Sequence, residues 1–108
     1  MTTFVLPIEP GVANQESQVS LDGMLFRLVY RFNDRDSYWY LDIYDGLSCE
    51  LLRAGVKIVS QWDILRLWQG EGRPAGVILA IPQGEAGLEA NTLEALGHDV
   101  LLTYIGDA

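Results

Sequence analysis

One cysteine, one histidine and one lysine in 108 residues leave little of the chemistry from which most catalytic sites are built. Cys49 has no second thiol to pair with, so an intrachain disulfide and a secreted disulfide scaffold are excluded. It reads as a small, partly buried apolar side chain, because a thiol nucleophile needs a neighbouring base and none is placed beside it. His98 stands next to Asp99 just before the last apolar run, where successive side chains point to opposite faces, and reads as a surface or strand-entry residue. No uninterrupted apolar run approaches the roughly 20 residues of a membrane span. The N-terminus starts without basic residues and contains Pro7, Glu9 and Pro10, unlike a signal peptide. Basic charge is scarce as well: 7 lysines and arginines face 15 aspartates and glutamates, a net charge of -8. That balance repels polyphosphate and acidic headgroups, so neither nucleic acid nor a membrane is an expected partner.

The remaining motifs are equally spare. Gly70-Glu71-Gly72 lacks the lysine and hydroxyl residue of a phosphate loop and does not join a strand to a long helix. Asp22, Asp34, Asp36 and Asp45 gather in turns, yet the 12-position pattern of an EF-hand is missing. No catalytic, cofactor-binding or metal-ligating residue is assigned, no cofactor is expected, and the chain reads as one that is not an enzyme.

What the sequence does contain is period-two alternation punctuated by turns. Met24, Phe26, Leu28, Tyr30 and Phe32 fall on one side of a strand and Leu25, Arg27, Val29 and Arg31 on the other. Tyr38-Trp39-Tyr40-Leu41-Asp42-Ile43-Tyr44 repeats the pattern, with Trp39, Leu41 and Ile43 as the expected core face. Asp42 fixes the orientation, since an unpaired carboxylate is expensive to bury. The predicted core is thus built around Phe26, Leu28, Tyr30, Trp39, Leu41 and Ile43. Asp22-Gly23 and Asp45-Gly46 are hairpin-turn signals. Further strand material is expected over 3–6, 49–54, 56–59, 77–81 and 100–105, with Gly55 marking a bulge or a close approach of backbone. The period changes around Trp62 to Trp68, where Ser60 as a cap and a stripe of Ile64, Leu65 and Trp68 predict one short helix. A second helical turn is expected over 92–96.

The order predicts a mainly β fold: a small antiparallel meander sheet, curled or partly closed into a barrel, with one short helix. Residues 1–18 read as an N-terminal strand and polar link and 19–108 as the β domain, the whole chain forming one structural unit.

Opposite the core face lie Arg27, Arg31, Tyr38, Tyr40, Asp42 and Tyr44. Tyrosine and arginine together fit either a protein interface or a sheet surface covered by another element. A carbohydrate platform competes for the same residues.

The ordered pieces Val19-Ser20-Leu21-Asp22-Gly23, the 26–32 strand, Tyr38-Trp39-Tyr40-Leu41-Asp42-Ile43 with Asp45-Gly46, Leu52-Arg53-Ala54-Gly55-Val56-Lys57-Ile58-Val59, Asp63-Ile64-Leu65, Gly76-Val77-Ile78 and the closing 101–105 strand resemble the phage baseplate plug family. These are small central baseplate hub proteins of tailed phages, of the cyanophage type. The resemblance implies a structural component that plugs or joins the central hub channel near the spike. It also implies hub, spike and tube proteins as partners, a possible homo-oligomer, and residence in the virion's tail baseplate after synthesis in the host bacterial cytoplasm. It supplies no catalytic residue. Ser60-Gln61-Trp62 departs from the glycine-bearing turn of the family, and the 83–97 connection is long. The alternative is a nonenzymatic protein- or carbohydrate-binding β module.

Overall fold

Asp22 and Gly23 both take positive φ, 52° and 83°, the geometry of a two-residue hairpin turn whose twist matches that of its strands. Such a turn joins arms in register, and here it pairs Leu21 with Met24 and runs back as far as Asn14 with Arg31. In the computed structural model, which describes residues 3–59, 63–66, 68, 74, 76–83, 95–98 and 100–106, this hairpin is the start of a four-stranded sheet. Strands β2 (Asn14–Leu21), β3 (Met24–Asn33), β4 (Tyr38–Asp45) and β5 (Leu51–Lys57) follow one another in space as in sequence, all antiparallel. A second sheet has the order β1 (Thr3–Val5), β7 (Val100–Ile105), β6 (Val77–Pro82), also antiparallel. The fold is mainly β, made of two antiparallel sheets and not of a closed barrel.

The two sheets share one core. Phe26, Leu28, Tyr30, Trp39, Leu41 and Ile43 from the four-stranded sheet are buried, as are Ile78, Ala80, Val100, Leu102 and Tyr104 from the other, and all belong to one apolar cluster. Phe32 packs at the margin against Trp39, with ring centroids 5.6 Å apart and planes tilted by 59°, a favourable aromatic arrangement. A polar tie also joins the sheets. The Tyr104 hydroxyl donates to Asp22 Oδ2 at 2.5 Å and accepts from the Gly76 backbone N–H at 2.8 Å.

Four expectations need correction. Residues 14–18, expected as part of a polar link, form most of β2, whose inward side chains Gln15, Ser17 and Val19 are half-buried; pairing with the ten-residue β3 imposes the strand despite the polar composition. Met24, placed in the core by alternation, is 49% exposed, because it is the last rung before the turn. Cys49 is exposed in the loop after β4, at φ 62°. The short helix is absent from the described residues. In its place Arg66 N–H donates to the Asp63 carbonyl and Trp68 N–H to the Leu65 carbonyl, the i to i+3 spacing of tight turns. Asp63 is held to β6 by a bridge with Leu79, and its carboxylate accepts from Leu65 and Ile78 N–H. Those bonds fix the backbone in a form that an α-helix cannot share. Ile64, Leu65 and Trp68 are nevertheless buried. Ser60, Gln61, Trp62 and Leu67 lie outside the described residues, as do Gly70-Glu71-Gly72 and residues 92–94 of the second expected helical turn.

Tyr30 carries a consequence for pH. Its hydroxyl and that of Ser17 are buried without a hydrogen-bond partner of normal geometry. Burial pushes the phenol from 10.0 up to about 12, and the nearby Ser17 hydroxyl offsets only part of this. Because the folded value is raised, the stability linked to this proton is complete below pH 10 and is lost between pH 10 and 12. By pH 11 the loss should reach about 1.4 kcal/mol. Urea unfolding at pH 8 and pH 11 measures it, and the Tyr30→Phe chain should lack that step.

Candidate functional site on the outer face of the four-stranded sheet

Antiparallel register places side chains from β2, β3, β4 and β5 in rows across the face turned away from the core. One row is Gln18, Arg27, Tyr44 and Leu51, and another is Asn14, Arg31, Tyr40 and Lys57; Glu16, Val29 and Asp42 lie between them. Arg27, Arg31, Tyr38, Tyr40, Asp42 and Tyr44 are therefore brought onto one surface. Each is engaged there with a neighbour.

Arg27 forms an ion pair with Glu16 and lies over the Tyr44 ring, 5.2 Å from guanidinium carbon to centroid. Lys57 Nζ sits 4.1 Å above the centre of the Tyr38 ring and 3.7 Å from Asp36 Oδ2, and the Tyr40 hydroxyl donates to the same carboxylate. The hydrogen bond from Tyr40 holds Asp36 below the usual carboxylate range, and Lys57 assists. Water screens exposed ion pairs of this kind, so they add little to stability. Their main effect is to hold cations over aromatic rings in fixed places.

Asp42 behaves differently. It points away from the core, as its alternation requires, yet it is only 8% exposed. Arg31 grips it with a fork, Nε to Oδ2 at 2.8 Å and Nη2 to Oδ1 at 3.0 Å, and Gly55 N–H donates to Oδ1 at 2.8 Å. Gly55 reaches it because β5 carries irregularities: the register slips between the Leu41–Val56 and Ile43–Arg53 pairs, and Gly55 takes φ 69°, which a side chain would oppose. Burial pushes the Asp42 carboxyl up, but the bonds from Arg31 and Gly55 and the Arg31 charge outweigh it, leaving the group below the usual carboxylate range. An outward carboxylate thus becomes a buried strut that positions Arg31, whose own side chain stays 48% exposed. The outward orientation expected of Asp42 holds, and the cage buries its carboxylate in that position.

Sequence reasoning missed Glu16, because its segment was read as a link, and gave Lys57 no role on this surface. The signal for Glu16 was the hairpin itself, which demands an upstream arm as long as the downstream one. The position of Lys57 depends on the slipped register of β5, and alternation alone does not carry that. His98 is exposed, in a turn where its N–H donates to the Ala95 carbonyl. Among the described residues no group of three or more histidines, cysteines, aspartates or glutamates could hold a metal ion.

The face is aromatic and charged, with its cations held in place. Tyrosine and arginine held in this way are enriched where one protein contacts another. A family model described as "Cyanophage baseplate Pam3 plug gp18" matches residues 3–107. No curated protein matches the chain.

Proposed function

The chain belongs to the cyanophage baseplate plug family and is a structural protein of a phage tail baseplate, and we propose that it works there by closing or joining the central hub channel near the spike. On this reading it contacts hub, spike and tube proteins, is made in the host cytoplasm before assembly, and acts by being bound, not by catalysis. The outer sheet face is the proposed contact surface. The observation that carries this is the placement of Arg27 over Tyr44 and of Lys57 over Tyr38, with Arg31 braced by Asp42. Tyrosine and arginine dominate the energetics of protein contacts when they are held rigidly, because less side-chain freedom is lost on binding.

The test is size-exclusion chromatography with light scattering on the chain alone and mixed with the hub, spike and tube proteins of the same phage. A stable complex with at least one of them is expected at micromolar concentration. Replacing Tyr38 and Tyr44 together by alanine should weaken it at least about tenfold, the loss of one or two strong contact residues, with an unchanged circular dichroism spectrum. No complex with any of the three proteins would defeat the reading; an undiminished complex in the double variant would defeat the choice of surface. The chain run alone reports whether copies associate with one another.

A further inference from the structure

A second surface lies at the free margin of the same sheet. Arg53, Ala54, Gly55, Val56 and Lys57 of β5 form one wall of a groove of about 220 Å³, and Ile64, Arg66 and Trp68 form the other. β5 is the last strand of its sheet, and among the described residues no strand pairs with its outer margin. Three of the chain's seven basic residues, Arg53, Lys57 and Arg66, meet at this groove in a protein of net charge -8. Lys57 is partly occupied by Asp36 and the Tyr38 ring, and Arg66 Nη1 donates to the Asp63 carbonyl oxygen. Arg53 is exposed and makes no ion pair among the described residues.

We propose that this groove receives an extended acidic segment of a different protein chain, carrying carboxylates for Arg53, Lys57 and Arg66 and an apolar side chain for half-buried Val56. Three features select that occupant. A local concentration of cations on an acidic molecule complements a partner's negative charge and steers its approach. An unpaired strand margin offers backbone N–H and C=O groups to an extended chain, the mode of strand addition. Half-buried Val56 gives a peptide apolar surface to cover that a small inorganic anion would leave wet. Nucleic acid is disfavoured because the repulsion from the net charge of -8 acts along the whole length of a polyanion. A second copy of the chain would bring another -8 to the same place. The inference rests on the reading of a protein that works by being bound, but it uses a groove that adjoins the tyrosine face and shares Lys57 with it.

The experiment is fluorescence anisotropy with a fluorescein-labelled peptide of alternating glutamate and leucine, seven residues long to match β5. Saturable binding is expected, weakening at least about tenfold in Arg53→Glu, where a partner's carboxylate meets a like charge, and weakening further in the Arg53→Glu/Arg66→Glu chain. Arg53→Gln should fall between wild type and Arg53→Glu, a graded response that loss of folding would not produce. Raising salt from about 0.1 to about 0.5 M should weaken binding through screening. The Tyr44→Ala variant, which alters the tyrosine face but leaves Lys57 over the Tyr38 ring, should bind the peptide as the wild type does, so failure here is distinguishable from failure of the contact with hub, spike or tube proteins. The proposal is overturned by absent or unsaturable binding, by equal binding of a lysine–leucine peptide, or by affinity unchanged in Arg53→Glu. It is also overturned by a single-stranded DNA oligomer binding in place of the peptide, or by self-association that Arg53→Glu abolishes.

Discussion

Trp39→Ala should lower the stability of the chain by about 3 to 5 kcal/mol, read as a shift in the urea midpoint at constant slope. Trp39 is completely buried, on the face of β4 that also carries Leu41 and Ile43, and its ring meets Phe32. Removing it forfeits the transfer of a large apolar surface and leaves a cavity that a sheet framework, fixed by hydrogen bonds on both sides of β4, closes poorly. Small domains hold roughly 5 to 15 kcal/mol in total, so this one change would consume a large share and populate unfolded chains at physiological temperature. A loss below about 1 kcal/mol would show that the ring is not packed as described.

Asp42→Ala should cost about 3 kcal/mol, and for a different reason. The substitution removes no core surface; it strands Gly55 N–H inside the irregular stretch of β5 without its acceptor and releases the fork of Arg31. A hydrogen bond to a charged acceptor contributes about 1.5 to 3 kcal/mol, and the half-exposed Arg31 pair about 1 more. The same network predicts a pH dependence in the wild type. Because the folded carboxyl lies below its ordinary value, its contribution is complete above about pH 5, and it is lost as pH falls through the folded value. Acid unfolding followed by circular dichroism should therefore show a milder decline in Asp42→Ala than in the wild type. Equal acid sensitivity of the two chains would place the linkage elsewhere.

The two predictions mark where the sequence was informative and where it was not. Alternation in residues 38–44 separates Trp39, Leu41 and Ile43 from Tyr38, Tyr40 and Tyr44, and in the structure the first three are fully buried while the tyrosines are half-buried. The tight turn at Asp22-Gly23 was equally legible, because it states a backbone requirement as well as a preference, whereas Asp45-Gly46 opens a longer loop over 46–50 in which Gly46 does not take positive φ. Asp42 was legible in its orientation but not in its burial: that depends on a residue thirteen positions away that reaches it only through a slip in register, and local patterning cannot encode a slip. β2 hid for a related reason. Its side chains are mostly polar, and the strand is imposed by β3. The turn at 63–66 shows the opposite failure, an apolar stripe of helical spacing whose backbone is claimed by β6. The basic groove beside β5 draws its walls from segments separated along the chain, so it exists only after folding.

The bond from Tyr104 to Asp22 and Gly76 has a mechanical meaning. Oily layers glide over one another at little cost, since dispersion and desolvation care about area and hardly about direction. A phenol clasped by a carboxylate at one end of a hairpin and by an amide at the mouth of the opposing layer is directional, and shear between the layers must break it before any slippage begins. A force applied to either layer is thereby shared by both.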